Sequence, residues 1–226
     1  MQVHADRVSV TGPHGTLLPP TSLTVAAGQL AVLHGEPGAG LTAFGLALAG
    51  RFKPATGTVT GPAKLREVSA VVDAPGVSEP DGALSLSVVV GEELALARRP
   101  AAKEDVRRWL VANDVGPFAN TRFENLSPVV RTRLLTALAA SRKGVELLVL
   151  DTPDRHTSDV ESWSDLAAEH AERGLAVVVL SATTPISALP FTPARTGELE
   201  QPEPRQCAPL PEPEPEPEED PEGEEQ

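Results

Sequence analysis

Eight consecutive residues, Gly35-Glu36-Pro37-Gly38-Ala39-Gly40-Leu41-Thr42, carry the clearest chemical signal in the sequence. A phosphate-binding P-loop requires Gly, four residues, Gly, Lys, then Ser or Thr. Gly35, Gly40 and Thr42 stand where that pattern requires them, and Leu41 stands where the lysine belongs. In such a loop the backbone N–H groups cradle phosphates, the hydroxyl ligates magnesium, and the lysine supplies the cation at the terminal phosphates. This loop keeps the backbone pattern and the hydroxyl without the cation, and Glu36 adds a negative charge within it. Asp151, closing the run Leu147-Leu148-Val149-Leu150-Asp151, is the second group of interest. From the residues alone its carboxylate is a polar cap that ends a buried strand. Thr42 has a matching reading, a first-turn helix residue.

The elements around these residues are the ones a phosphate loop needs. Leu30-Ala31-Val32-Leu33-His34 is a short apolar run stopping at Gly35, a buried strand feeding the loop. Leu41 to Ala49 reads as a helix, stopped by Gly50. Before it, Arg7 to Val10 and Ser22 to Val25 alternate in strand fashion, and Thr56 to Gly61 is a third short strand; together they predict a small antiparallel sheet. Val68 to Val72 and Val145 to Leu150 read as buried strands, the first ending at Asp73. Between them, helices are expected over Gly91 to Arg99, Glu104 to Ala112 and Val129 to Ala140. Trp109, Leu110, Leu134, Leu135 and Leu138 should face inward, and Arg131 and Arg133 outward. A further helix, Val160 to Glu172, precedes the strand Ala176 to Leu180. Strands alternating with helices predict an α/β fold with a largely parallel sheet.

This order of features resembles the ATP-binding subunit of an ABC (ATP-binding cassette) transporter over roughly Val3 to Ala188. Leu46-Ala47-Leu48-Ala49-Gly50 followed by Pro54-Ala55-Thr56-Gly57-Thr58-Val59 looks like the helix and turn after that family's P-loop. Ser85-Leu86-Ser87-Val88 through Glu93-Leu94-Ala95-Leu96 looks like the start of its helical subdomain. The resemblance implies a P-loop NTPase fold of the ABC type: a mixed sheet core, a small antiparallel β subdomain and a helical subdomain near 85–140. It also implies bound ATP or ADP with magnesium, held by Thr42 and Asp151, and a permease or a second, competent ATPase subunit as partner.

The same resemblance marks what the chain lacks. The family's signature, usually Leu-Ser-Gly-Gly-Gln, appears as Leu126-Ser127-Pro128-Val129-Val130; Ser127 survives, but Pro128 has no N–H to offer. From the residues alone, Ser127 is an N-cap for the helix that follows. The glutamate that serves as general base is Thr152, a hydroxyl of no use as a base at neutral pH. The switch histidine falls near Ala182 and the bridging glutamine near Ala74. No aromatic residue precedes Phe44, so adenine has no stacking partner there; His14 is a poor replacement. No residue is assigned a catalytic role. The expectation is a degenerate subunit with weak or no ATP binding and no significant hydrolysis. The alternative is a nucleotide-free scaffold acting through its fold and its tail.

Composition sets the remaining limits. The chain has 226 residues, 40% of them hydrophobic, but only 3% aromatic and no tyrosine. From Glu198 to Gln226 there are 12 acidic residues and one basic, a net −11 of the total −13, so the rest is nearly neutral. No basic stripe is present, which argues against nucleic acid as the main partner. Residues 191–226, Pro/Glu-rich toward the end, are expected to form a disordered acidic tail after a 1–190 domain. Cys207 is the only cysteine, lies in that tail and reads as incidental; no internal disulfide can form. The five histidines, His4, His14, His34, His156 and His170, show no metal-ligand spacing and read as structural or exposed. No secretory leader and no membrane-spanning run are evident, so a cytoplasmic location is expected, at the inner face of the membrane only through a partner. High Ala, Gly, Pro, Val and Arg usage suggests a GC-rich bacterial genome.

Overall fold

The computed structural model describes residues 1–207. Two sheets form the framework. The first is antiparallel, in the order β2-β1-β4: β1 (Gln2–Gly12), β2 (Gly15–Ala26) and β4 (Thr56–Thr60). Its hairpin strands run to 11 and 12 residues, well beyond the short segments expected. Pro19 and Pro20 lie inside β2 and hide it from a pattern search. They are tolerated because β2 is the edge of this sheet and the β1–β2 register shifts on either side of Val8.

The second sheet is the parallel core. Its path is β5 (Ser69–Val72), β6 (Leu147–Asp151), β7 (Ala176–Ser181), β3 (Gln29–His34) and β8 (Ala194–Arg195). β9 (Arg205–Gln206) runs antiparallel against the start of β3, which makes the sheet mixed. Its central strands are almost wholly buried because both faces are covered, so they read as continuous apolar runs. Alternate residues serve opposite cores. Leu148, Leu150, Val177 and Val179 join the cluster beneath the large helices, and Leu147, Val149, Val178 and Leu180 join the cluster shared with β1, β2 and α1 (Leu41–Leu48).

Between β5 and β6 run three helices, α3 (Leu86–Leu96), α4 (Lys103–Ala112) and α5 (Pro128–Ala140), after a single turn α2 (Leu65–Val68) that leads into β5. α5 and α6 (Val160–Glu172) cover the sheet, and α6 keeps the bounds its periodicity predicts. Pro128 opens α5 at a position where its missing N–H has no cost, and Ser127 caps it by accepting from Val130 N at 3.4 Å. No helix among the described residues is long and apolar enough to cross a membrane.

Three expectations need correction. Ordered chain does not end at Pro190: β8 and β9 continue the sheet, and Cys207 N–H donates to Gly28 O at 3.0 Å. These strands are two residues each, too short to show a pattern. Cys207 is 5% exposed and belongs to the large core cluster, not to a free tail; the expected tail over 208–226 lies outside the described residues. Arg131 is buried, not outward.

Candidate functional site

The loop 35–42 joins β3 to α1 at the C-terminal edge of the parallel sheet. Gly40 caps α1 with φ of +76°, a conformation glycine adopts freely. A Cβ there would come within 2.9 Å of Leu18 Cβ, so the loop leans closely on β2. Glu36, Pro37 and Gly38 are exposed, and Ala39 N–H turns back to Glu36 O at 2.9 Å. Leu41 is 5% exposed and sits in the apolar cluster with Leu18, Leu33 and Phe44. The side chain in the lysine position is therefore turned into the core beneath the loop.

Thr42 and Asp151 are brought together. The Thr152 hydroxyl donates to Asp151 Oδ1 at 3.2 Å, and Thr42 lies near enough to pull the pKa of this carboxyl down. Asp151 is 1% exposed, and its Oδ2 has no partner among the described residues. Burial pushes this carboxyl above its ordinary value, against the pull of the two hydroxyls and of Arg155. An orphaned carboxylate oxygen beside a hydroxyl is a hard oxygen donor set of the kind magnesium takes, so these two residues fit that ion in donor type. Thr152, at the position of the general base in the resembled family, has φ of +46°, a strained backbone for a β-branched residue.

Two arrangements around this centre escape a reading of the sequence. The first is a carboxylate held in a ring of donors. Asp154 Oδ2 accepts from Ala182 N at 2.9 Å, Thr183 N at 2.7 Å, Thr184 N at 2.8 Å and Ser181 Oγ at 2.9 Å. Burial alone would raise the Asp154 pKa, but these four bonds lower it on balance. Successive N–H groups of this kind form an anion-binding concavity, and here the anion is internal. Ala182, the position of the switch histidine in the resembled family, is thus fixed by its backbone.

The second is an ion network at the end of β5. Asp73, at φ +58°, receives a two-pronged hydrogen bond from Arg131 of α5, Nε to Oδ2 at 3.0 Å and Nη2 to Oδ1 at 2.7 Å. Arg131 also reaches Glu79 at 3.1 Å and lies 4.9 Å over the Phe123 ring. This explains its burial: a guanidinium can enter a core when each face is answered. Arg155 donates to the carbonyls of Asp151 at 2.7 Å and Asp73 at 2.6 Å, and His156 Nε2 lies 3.1 Å from Asp73 Oδ2. Burial raises the Asp73 pKa, while His156, Arg131 and Arg155 together bring it below its ordinary value. Ligand atoms of Asp73, Glu79 and His156 lie within 4.8 Å of one another. Two guanidiniums already neutralise that cluster, which disfavours a cation there. Ala74, near which the bridging glutamine of the resembled family would fall, is fully buried beside it.

Leu126 and Ser127 do not join the centre: Ser127 is an exposed cap, with no hydrogen bond to residues 35–42 among the described residues. His34 and His170 are structural, His34 Nε2 within 3.1 Å of Thr184 O and His170 buried. His156 is structural as a partner of Asp73. The missed residues Asp73, Glu79, Arg131 and Arg155 pair across 52 to 82 positions of sequence, a range no local pattern reports. The charged run Asp154-Arg155-His156 straight after a buried strand was the one available signal.

No protein-family profile and no curated protein sequence matches the chain. Solved structures do. A nucleotide-free ATP-binding cassette from an ABC transporter is 15% identical, with 81% of this chain against 82% of that one and a TM-score of 0.59. The ATP-binding subunit of another ABC transporter is 16% identical over 81% and 80% of the two chains, TM-score 0.56. A Pyrococcus furiosus protein described as an ABC transporter ATP-binding protein is 16% identical over 86% and 96%, TM-score 0.61. The chain therefore has the fold of the ATP-binding subunits of ABC transporters.

Proposed function

We propose that this protein is a degenerate counterpart of an ABC ATP-binding subunit. It binds magnesium nucleotide weakly or not at all, hydrolyses none at a significant rate, and serves as a structural or regulatory partner of a permease or of a competent ATPase subunit. Its place would be cytoplasmic, at the membrane only through that partner. The observation that carries this reading is Leu41, buried in the core where a phosphate-binding cation would extend. Phosphoryl transfer relies on positioning and charge neutralisation, and each tenfold loss of rate is about 1.4 kcal/mol. Leu41, Thr152 and Ala182 remove three of the groups that would supply them.

Residual binding would rest on the Gly40 end of α1, whose N–H groups and dipole favour an anion. Magnesium, if it accompanies nucleotide, would be held by Thr42 and Asp151 and would screen phosphate charge. The lack of a γ-phosphate sensor is supported by Ala182, whose methyl side chain has no donor to offer. A partner is supported by the helical region, where Val88, Leu96, Val111 and Phe118 are all more than 40% exposed. Titration calorimetry of the full chain with Mg-ATP, beside a Leu41→Lys variant, tests the reading. Tight binding and steady turnover by the unmodified chain would overturn it.

A further inference from the structure

The edge of the parallel sheet opposite the loop carries a second charged site. Arg51 follows α1, Arg66 belongs to α2, Arg98 follows α3, and Arg142 and Lys143 follow α5; they line a cavity of about 540 Å³. Cations beside helix C-termini offset the helix dipole, and Arg142 is also answered by Glu93 at 2.7 Å. More charge is present than these partners use. Glu67, the only carboxylate lining the cavity among the described residues, is tied to Lys64 at 3.4 Å. Among the described residues no carboxylate forms an ion pair with Arg51, Arg66, Arg98 or Lys143. The Nε atoms of Arg51 and Arg142 are buried with no hydrogen-bond partner among those residues. Burial, with Arg142 and Arg66 close by, lowers the Arg51 pKa. Like charges held together around unpaired buried donors are costly unless an anion joins them.

Where the described chain ends points to that anion. β9 pairs Gln206 with Gln29, and Cys207 binds Gly28 O, so the chain leaves at the first residue of β3, on this same edge. β6 and β5 lie two and three strands along; at about 4.8 Å per strand their starts are roughly 10–15 Å away. Residues 208–226 contain nine acidic residues and no basic one. A chain of 19 residues can span at most about 60 Å, ample for the distance.

We propose that the basic cavity is a carboxylate-binding site whose occupant is the acidic segment 208–226 of the same chain. Zero-length carbodiimide coupling of the full protein, read by peptide mass spectrometry on the monomer, tests it. The chain has four lysines, Lys53, Lys64, Lys103 and Lys143, and Lys143 alone lines the cavity. Expected is coupling of residues 212–225 to Lys143 in clear excess over Lys53 and Lys103. That excess should fall several-fold in the double variant Arg66→Gln/Arg98→Gln, whose sites are exposed and spare the fold. Preferential coupling to Lys103, which borders the apolar groove between α3 and α4, would overturn the proposal. So would coupling found only between molecules, or an excess at Lys143 unchanged in the double variant.

Discussion

At the scale of single residues, Asp151 is the group whose state most depends on what joins it. Its orphaned, buried carboxylate destabilises the protein once ionised, because the folded pKa is raised. The sign is definite. Stability is greatest where both folded and unfolded forms are protonated, and falls as pH rises through the ordinary carboxylate range toward the raised value. Asp151→Asn should therefore be the more stable protein at neutral pH, by on the order of 1 kcal/mol. Its advantage should shrink on acidification, as followed by thermal denaturation against pH. A variant less stable than the parent at neutral pH would contradict the orphaned-carboxylate reading. The placement of Leu41 and Thr42 at the start of α1 and of Asp151 at the end of β6 was legible from spacing, because the loop and the strand end are local features. The burial of Leu41 was not, since it depends on Leu18 from a different sheet.

At the scale of elements, two charge arrangements hold the loops of the centre in place. Asp154→Ala removes the acceptor for three backbone N–H groups and one hydroxyl. Allowing for water reaching the exposed part of that loop, a loss of about 2–4 kcal/mol is expected in chemical denaturation. Amide exchange should accelerate at 182–184 first. Arg131→Ala should cost about 3–5 kcal/mol, because it strands a buried carboxylate that α5 otherwise pairs. Asp73 has a lowered pKa, so its contribution is present above the ordinary carboxylate range and is lost as pH falls through the lowered value. The gap between Arg131→Ala and the parent should accordingly close in acid; a gap independent of pH would place the cost in packing against Phe123 instead. α6 kept its predicted bounds because one apolar face repeats every turn, whereas α3 begins at Leu86, five residues before the helix expected from Gly91. The orientation of Arg131 was misread for the same reason. Periodicity assigns charge to the solvent side, and only Asp73, 58 residues earlier, reverses that.

For the whole molecule, the fold was visible in the succession of strand, loop and helix, while the extent of the ordered chain was not. β8 and β9 are two residues each and exist only as additions to β3. Cys207 reports on them. It is 5% exposed, and burial raises its thiol pKa, so little thiolate is present at neutral pH. Alkylation of the native protein at pH 7 should be far slower than in denaturant; equal rates would show that residues 194–207 are not docked. Above this stands a protein with the fold of ABC ATP-binding subunits, whose nucleotide site we propose to be degenerate. Calorimetry of the full chain with Mg-ATP, paired with a phosphate-release assay, addresses that most directly. We expect no saturation below about 1 mM nucleotide, less than roughly 4 kcal/mol of binding. We also expect no turnover, and none gained in Leu41→Lys, because Thr152 still supplies no base. Micromolar binding, about 8 kcal/mol, with steady release of phosphate by the unmodified chain would contradict it.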